Sequence, residues 1–151
     1  MSSAEHPPQA PTPLRILVVD DHEDSARALA RLLRHEGHVV TTAHSITGAM
    51  ALVVGQRAVD LLLSDIDLPD GNGCQLLDRL RAFYGGRDVA AVALTGHGEE
   101  AWIEECQRAG YRHFLLKPVR FEEVLTVVRT TQSAAPLVRP LGGVPAPLPG
   151  P

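Results

Sequence analysis

Five times along this chain a short, unbroken apolar run is followed by a stretch with helical spacing, and that alternation leaves few folds open. The runs are Ile16-Leu17-Val18-Val19, Val39-Val40, Val59 to Leu63, Val89 to Leu94 and Phe114-Leu115-Leu116. Because they are continuous, they suit parallel strands covered on both faces rather than strands with one wet side. Helix signals fill the gaps. Asp24 or Ser25 can cap a first helix whose stripe is Ala28, Leu29, Leu32 and Leu33, with Gly37 just past its end. Ser45 or Thr47 opens a second, with Ala49, Met50 and Val53, stopping near Gly55. A third runs from about Gly73 through Leu76, Leu77 and Leu80 to Gly85-Gly86. Glu99-Glu100 place negative charge at the start of a fourth, which closes before Gly110. The fifth runs from near Phe121 to about Thr130. Five such units predict an α/β chain with an open parallel sheet and helices on both faces.

The 151 residues suit one compact domain. Apolar residues make up 44% and aromatics only 4%, so the core must be aliphatic. Prolines crowd both ends, at 7, 8, 11 and 13 and at 136, 140, 145, 147, 149 and 151. These segments have little apolar surface to offset the entropy of ordering. The expected organisation is therefore a disordered tail over 1–13, a folded domain over 14–131, and a disordered tail over 132–151. A net charge of −4 offers no general attraction to nucleic acid or anionic lipid. The N-terminus lacks a signal-peptide pattern, and no apolar run reaches membrane-spanning length, which predicts a cytoplasmic protein. Cys74 and Cys106 show neither metal nor redox spacing and read as two small apolar side chains in a reducing compartment.

In open parallel sheets, ligands bind beyond the carboxyl ends of the strands. The first strand ends in Asp20-Asp21, the third in Asp65, the fourth in Thr95 and the fifth in Lys117-Pro118. Three carboxylates at one rim repel one another, and a divalent cation resolves that conflict; all-oxygen ligands suit Mg²⁺. A carboxylate can then attack phosphorus, while an ammonium and a hydroxyl hold the phosphoryl oxygens.

The segments Ile16–Asp21 (ILVVDD), Leu63–Gly73 (LSDIDLPDGNG), Ala93–Gly96 (ALTG) and Phe114–Pro118 (FLLKP) resemble the four signature segments of response-regulator receiver domains. The likeness spans roughly residues 14–130. It implies a flavodoxin-like (βα)5 fold with strand order 2-1-3-4-5, and a phosphoacceptor switch rather than an enzyme. Under the resemblance, Asp65 takes phosphate from a phosphohistidine on a cognate histidine kinase or histidine phosphotransfer protein. Asp21, Asp65 and the backbone carbonyl of Asp67 hold Mg²⁺ or Mn²⁺, with Asp20 acting through water. Lys117 pairs with the phosphoryl oxygens, Thr95 bonds to them, and Phe114 swings inward behind Thr95. Asp67 and His97 flank the path of attacking water and tune the lifetime of the acyl phosphate. The Lys117-Pro118 bond is expected to be cis. Output passes to a downstream protein through the fourth helix, last strand and fifth helix, from a monomer or a phosphorylation-dependent homodimer.

Other readings compete with these. A calcium loop at Asp65, Asp67 and Asp70-Gly71 fails: the glycine is one place late, Pro69 takes a ligand position and Leu76 replaces the bidentate glutamate. A haloacid-dehalogenase-like phosphatase resembles Asp65-Ile66-Asp67, but Pro69 stands where its threonine belongs. A relay or sink for phosphate is a further option, since no helix-turn-helix signal follows Thr130 and no basic patch is present. Leu68-Pro69-Asp70-Gly71 is first of all a turn. Trp102 and Ile103 offer a partner surface, though helical spacing with Cys106 equally suits core packing for Trp102. The seven histidines have no ligand-like spacing and read as surface or helix-end residues.

Overall fold

The structure, a computed structural model, describes residues 12–96 and 98–138. Five parallel strands form the sheet: β1 (Arg15–Val19), β2 (Val39–Ala43), β3 (Leu61–Asp65), β4 (Ala90–Thr95) and β5 (His113–Leu116), in the order β2-β1-β3-β4-β5. This is the doubly wound flavodoxin-like arrangement expected from the alternation. Register sets the rim: Val19 pairs with Ser64, Asp65 with Leu94, and Thr95 with Leu116. The ends of β1, β3, β4 and β5 therefore finish at nearly one level.

The continuous apolar runs are explained by the two layers they feed. Ile16, Val18, Leu61, Leu63, Val92 and Leu94 point to the side covered by α1 (Glu23–His35) and α5 (Phe121–Val138). Leu17, Val19, Leu62, Ala91 and Ala93 point to the other side, beneath α2 (Ile46–Val53), α3 (Gly73–Phe83) and α4 (Ile103–Ala109). All five residues of β3 are buried. Each leucine there contributes about 1.5–3 kcal/mol by leaving water.

Several local expectations need correction. The cap of α1 is His22, without a side-chain cap bond, rather than Asp24 or Ser25. Asp20 causes the shift, because its Oδ1 accepts the His22 N–H at 2.9 Å and turns the chain into the helix two residues earlier. The buried stripe is accordingly Ala26, Leu29, Ala30 and Leu33, an i, i+3, i+4, i+7 set, while Ala28 is exposed and Leu32 half-buried. The helix ends in a Schellman motif: Gly37, at φ +98°, donates to the Arg34 carbonyl and His38 to that of Leu33. His38 is buried, not a surface residue, and its Nδ1 accepts the Leu14 N–H at 3.0 Å. Burial lowers its pKa. Ser45 caps α2 through Gly48 N–H, and Asn72 with Gln75 forms a reciprocal capping box at α3.

A 3₁₀ turn, Glu100–Trp102, precedes α4. Trp102 is 40% exposed, so the core alternative for it fails; α4 turns Cys106 inward instead. The last helix runs to Val138, past the expected end at Thr130 and through Pro136. Gln132 Nε2 donates to the Thr12 carbonyl there at 2.8 Å, a long-range contact that propensity could not foresee. Residues 1–11 and 139–151 of the expected tails lie outside the described residues. Among the described residues no helix is long and apolar enough to cross a membrane.

Candidate functional site

The carboxyl ends of β1, β3 and β5 deliver four charged side chains to one place. Asp20 and Asp65 are buried, at 1% and 3% exposure, and Asp21 stays exposed. Lys117 Nζ lies 2.5 Å from Asp65 Oδ1 and 3.7 Å from Asp20 Oδ1. The Asp21 N–H reaches towards Asp65 Oδ2 at 3.4 Å. Thr95, buried at the end of β4, accepts the Lys117 N–H on its carbonyl at 2.7 Å and so fixes where the lysine leaves the sheet. The Lys117-Pro118 bond is cis.

The electrostatics are those of a carboxylate short of positive charge. Burial pushes the Asp65 carboxyl up to about 8, with the Lys117 bond opposing and the neighbouring Asp20 adding to the rise. Among the described residues, the close partner of Asp65 Oδ1 is the Lys117 ammonium. Burial draws the Lys117 pKa down, but the bond to Asp65 and the charges of Asp65, Asp20 and Asp21 outweigh it and leave it raised. An oxygen of this kind, beside Asp20 and Asp21, fits a hard divalent cation. Ligand atoms of Asp20, Asp21 and His22 already lie within 4.8 Å of one another.

The other expected site residues lie around this centre. Asp67 is exposed and begins a two-residue antiparallel ladder, Asp67–Leu68 against Gly71–Asn72. Phe114 is half-buried against the core layer under α2, α3 and α4. His97 lies outside the described residues. Around it, Glu99 Oε1 accepts the Gly96 N–H at 2.7 Å.

Several supporting residues had no sequence signal strong enough to be singled out. Ser64 Oγ donates to the Asp65 carbonyl at 2.8 Å, and Gly73 N–H donates to that of Ile66 at 2.8 Å. A Cβ on Gly73 would stand 2.8 Å from the Asp65 carbonyl oxygen, which is why glycine opens α3. Tyr111, buried, donates its hydroxyl to the Gly73 carbonyl at 2.7 Å, and burial pushes its pKa up. The ring of His44 bonds through Nδ1 to the Asp20 carbonyl at 2.9 Å. Asp70, in the expected turn, accepts from the N–H groups of Ile46 and Thr47 and from the Thr47 hydroxyl, which holds its carboxyl down at about 2. It thereby ties the loop after β3 to the start of α2.

Comparison with known proteins agrees with this geometry. The sequence model of the response regulator receiver domain matches residues 16–129. A 14.6 kDa protein from Leptolyngbya boryana is 34% identical over 114 residues, covering 76% of this chain and 86% of that protein. The two-component response regulator ARR10 of Arabidopsis thaliana is 33% identical over 79% of this chain, which spans only 21% of that protein. The sensory/regulatory protein RpfC of Xanthomonas campestris is 35% identical over 82% of this chain, which spans 18% of it. Among solved structures, NtrX of Brucella abortus superposes with a TM-score of 0.74 at 28% identity, covering 83% of this chain and 28% of that one. A receiver-domain protein of Clostridium thermocellum gives 0.75 at 24% identity, covering 83% and 99%, and shows the fold. The family match supersedes the haloacid-dehalogenase alternative.

Proposed function

The chain belongs to the response regulator receiver domain family, and on that premise we propose that it is a phosphoryl-accepting signalling switch with Asp65 as the acceptor. The donor is a phosphohistidine on a partner histidine kinase or phosphotransfer protein. One observation carries the reading: a buried carboxylate at the end of the central strand is met by an ammonium at 2.5 Å and flanked by a second buried carboxylate. Outside such chemistry, a core strand gains nothing by ending in a carboxyl group that its surroundings disfavour in charged form.

Asp21, Asp65 and the Asp67 carbonyl would hold Mg²⁺ or Mn²⁺, with Asp20 reached through water. When bound, the cation supplies positive charge to the phosphoryl oxygens and lets Asp65 stay ionised as the nucleophile. The protein's own groups do the rest. Asp65 presents its carboxylate from a fully buried strand paired on both sides, and the in-line transfer needs little beyond positioning and charge. Lys117 exchanges its Asp65 contact for a phosphoryl oxygen. Thr95 donates its hydroxyl to another, and Phe114 closes behind it. Side chains at Asp67 and His97 flank the approach of water to the acyl phosphate.

The exposed face of α4, β5 and α5 carries the signal outward. Trp102, Leu116 and Phe121 stand in the open there and offer an apolar surface whose arrangement follows α4 and β5. The test is incubation with Mg²⁺ and a small acyl phosphate, read by intact mass. One phosphoryl group per chain is expected, none with excess EDTA, and none on Asp65→Asn. Labelling of that variant at the native level would refute the assignment.

A further inference from the structure

We propose that Cys74 and Cys106 form a dithiol that a peroxide converts into an intramolecular disulfide joining α3 to α4. The two residues are 32 positions apart and fit no motif, yet their Sγ atoms lie 3.0 Å from each other. Both are free thiols. They face each other from fixed positions, Cys74 in the first turn of α3 and Cys106 midway along α4. Two hydrogen bonds tie α3 to α4 and to the residue just beyond it: Arg81 Nη1 donates to the Ala109 carbonyl at 2.7 Å, and Tyr111 donates to the Gly73 carbonyl at 2.7 Å. A disulfide needs the sulfurs at about 2.0 Å, so closure asks for a movement of roughly 1 Å within a frame already set.

Cys74 is the attacking sulfur. It keeps 5% exposure, whereas Cys106 has none. Burial raises both thiols, but the hydrogen bond between them favours loss of the proton from Cys74 and helps push Cys106 up to about 12. The Cys74 sulfur attacks one oxygen of hydrogen peroxide; the O–O bond breaks, giving a sulfenic acid on Cys74 and one water. Cys106 sulfur then attacks the Cys74 sulfur; the S–O bond breaks, and the hydroxyl leaves with the Cys106 proton as a second water. Two thiols are oxidised and one peroxide is reduced to two waters. Because the thiolate is scarce, the reaction falls towards the slow end of the range of seconds to hours typical of disulfide formation. The product fixes α4, a seven-residue helix entered through a 3₁₀ turn, against the residue next to Gly73. This goes beyond the receiver reading, and its readout uses no phosphorylation, so either can fail alone.

The 151-residue chain is treated with hydrogen peroxide under native conditions and then unfolded for thiol titration and peptide mapping. Titratable thiols should fall from two to none, no disulfide-linked dimer should form, and the peptides carrying Cys74 and Cys106 should appear joined. The thermal midpoint should rise by several degrees and return with dithiothreitol. Cys74→Ser and Cys106→Ser should show neither the joined peptide nor the reversible shift. The native peptide map decides the matter on its own where a variant does not fold. Two intact thiols after a small reference thiol is consumed would overturn the proposal. So would sulfinic acids at separate cysteines, or disulfide-linked dimers.

Discussion

Replacing Asp65 by asparagine should make the metal-free protein more stable near neutral pH, although it removes an ion pair. The unfolded chain ionises this carboxyl near its ordinary value of 3.8, while burial holds it at about 8 in the folded state. An acid raised in this way costs nothing below the lower value; the cost grows as pH climbs to the higher one, then levels. At about 1.4 kcal/mol per pH unit, a span of about four units sets a ceiling of roughly 6 kcal/mol. The attraction of Lys117 already enters that value, so the variant forfeits only what a buried amide loses when it must find its own bonds. Lys117 is only half-buried and can turn to water. A net gain of about 1–3 kcal/mol at pH 8 is the expected outcome. With a urea slope near 2 kcal/mol/M, that moves the midpoint by about 1 M. Urea unfolding in EDTA at pH 4.5, 6 and 8 measures it, and the advantage should shrink as pH falls and disappear or reverse by pH 4.5. A variant less stable than native at pH 8, or a gap that ignores pH, would show that the surroundings of Asp65 do not oppose its charge.

Other perturbations probe the supporting shell. Gly73→Ala drives a methyl group into the Asp65 carbonyl and the Tyr111 hydroxyl; a loss of about 1–3 kcal/mol is expected in thermal or urea melts. Tyr111→Phe leaves the Gly73 carbonyl without its buried donor and should cost about 1–3 kcal/mol by the same assay. Asp70 has a depressed folded pKa, so its support is present above about 4 and is lost as pH falls through about 2. Asp70→Asn should therefore lower the urea midpoint at pH 5 and converge on the native chain near pH 2. Mg²⁺ at a hundred times its dissociation constant should stabilise the native chain by about 2–3 kcal/mol at pH 7.5 and leave Asp65→Asn nearly unchanged.

The sheet and its charged rim were legible because both depend on residues adjacent in sequence. A run such as Leu61-Leu62-Leu63 fixes a doubly covered strand, and the residue at its end then falls on the rim by register alone. Helix detail was less accessible. The stripe of α1 rotated because Asp20, lying outside the helix, set its start. Contacts made across the fold left no local trace. Asp70 reads as a turn residue until α2 is placed beside it, and Tyr111 gives no signal until Gly73 is opposite. The paired sulfurs of Cys74 and Cys106 depend on how two helices lie together, which spacing along the chain does not encode.

The central position of β3 carries a consequence for how a signal can leave. With a paired neighbour on each side and no exposed residue, this strand belongs among the elements that open last. A change provoked by phosphorylation of Asp65, as proposed, would then be expressed at the periphery: the brief helix α4 and the edge strand β5, which Lys117 directly follows. Under the proposed role, Asp65 is the pivot and the rim is the lever.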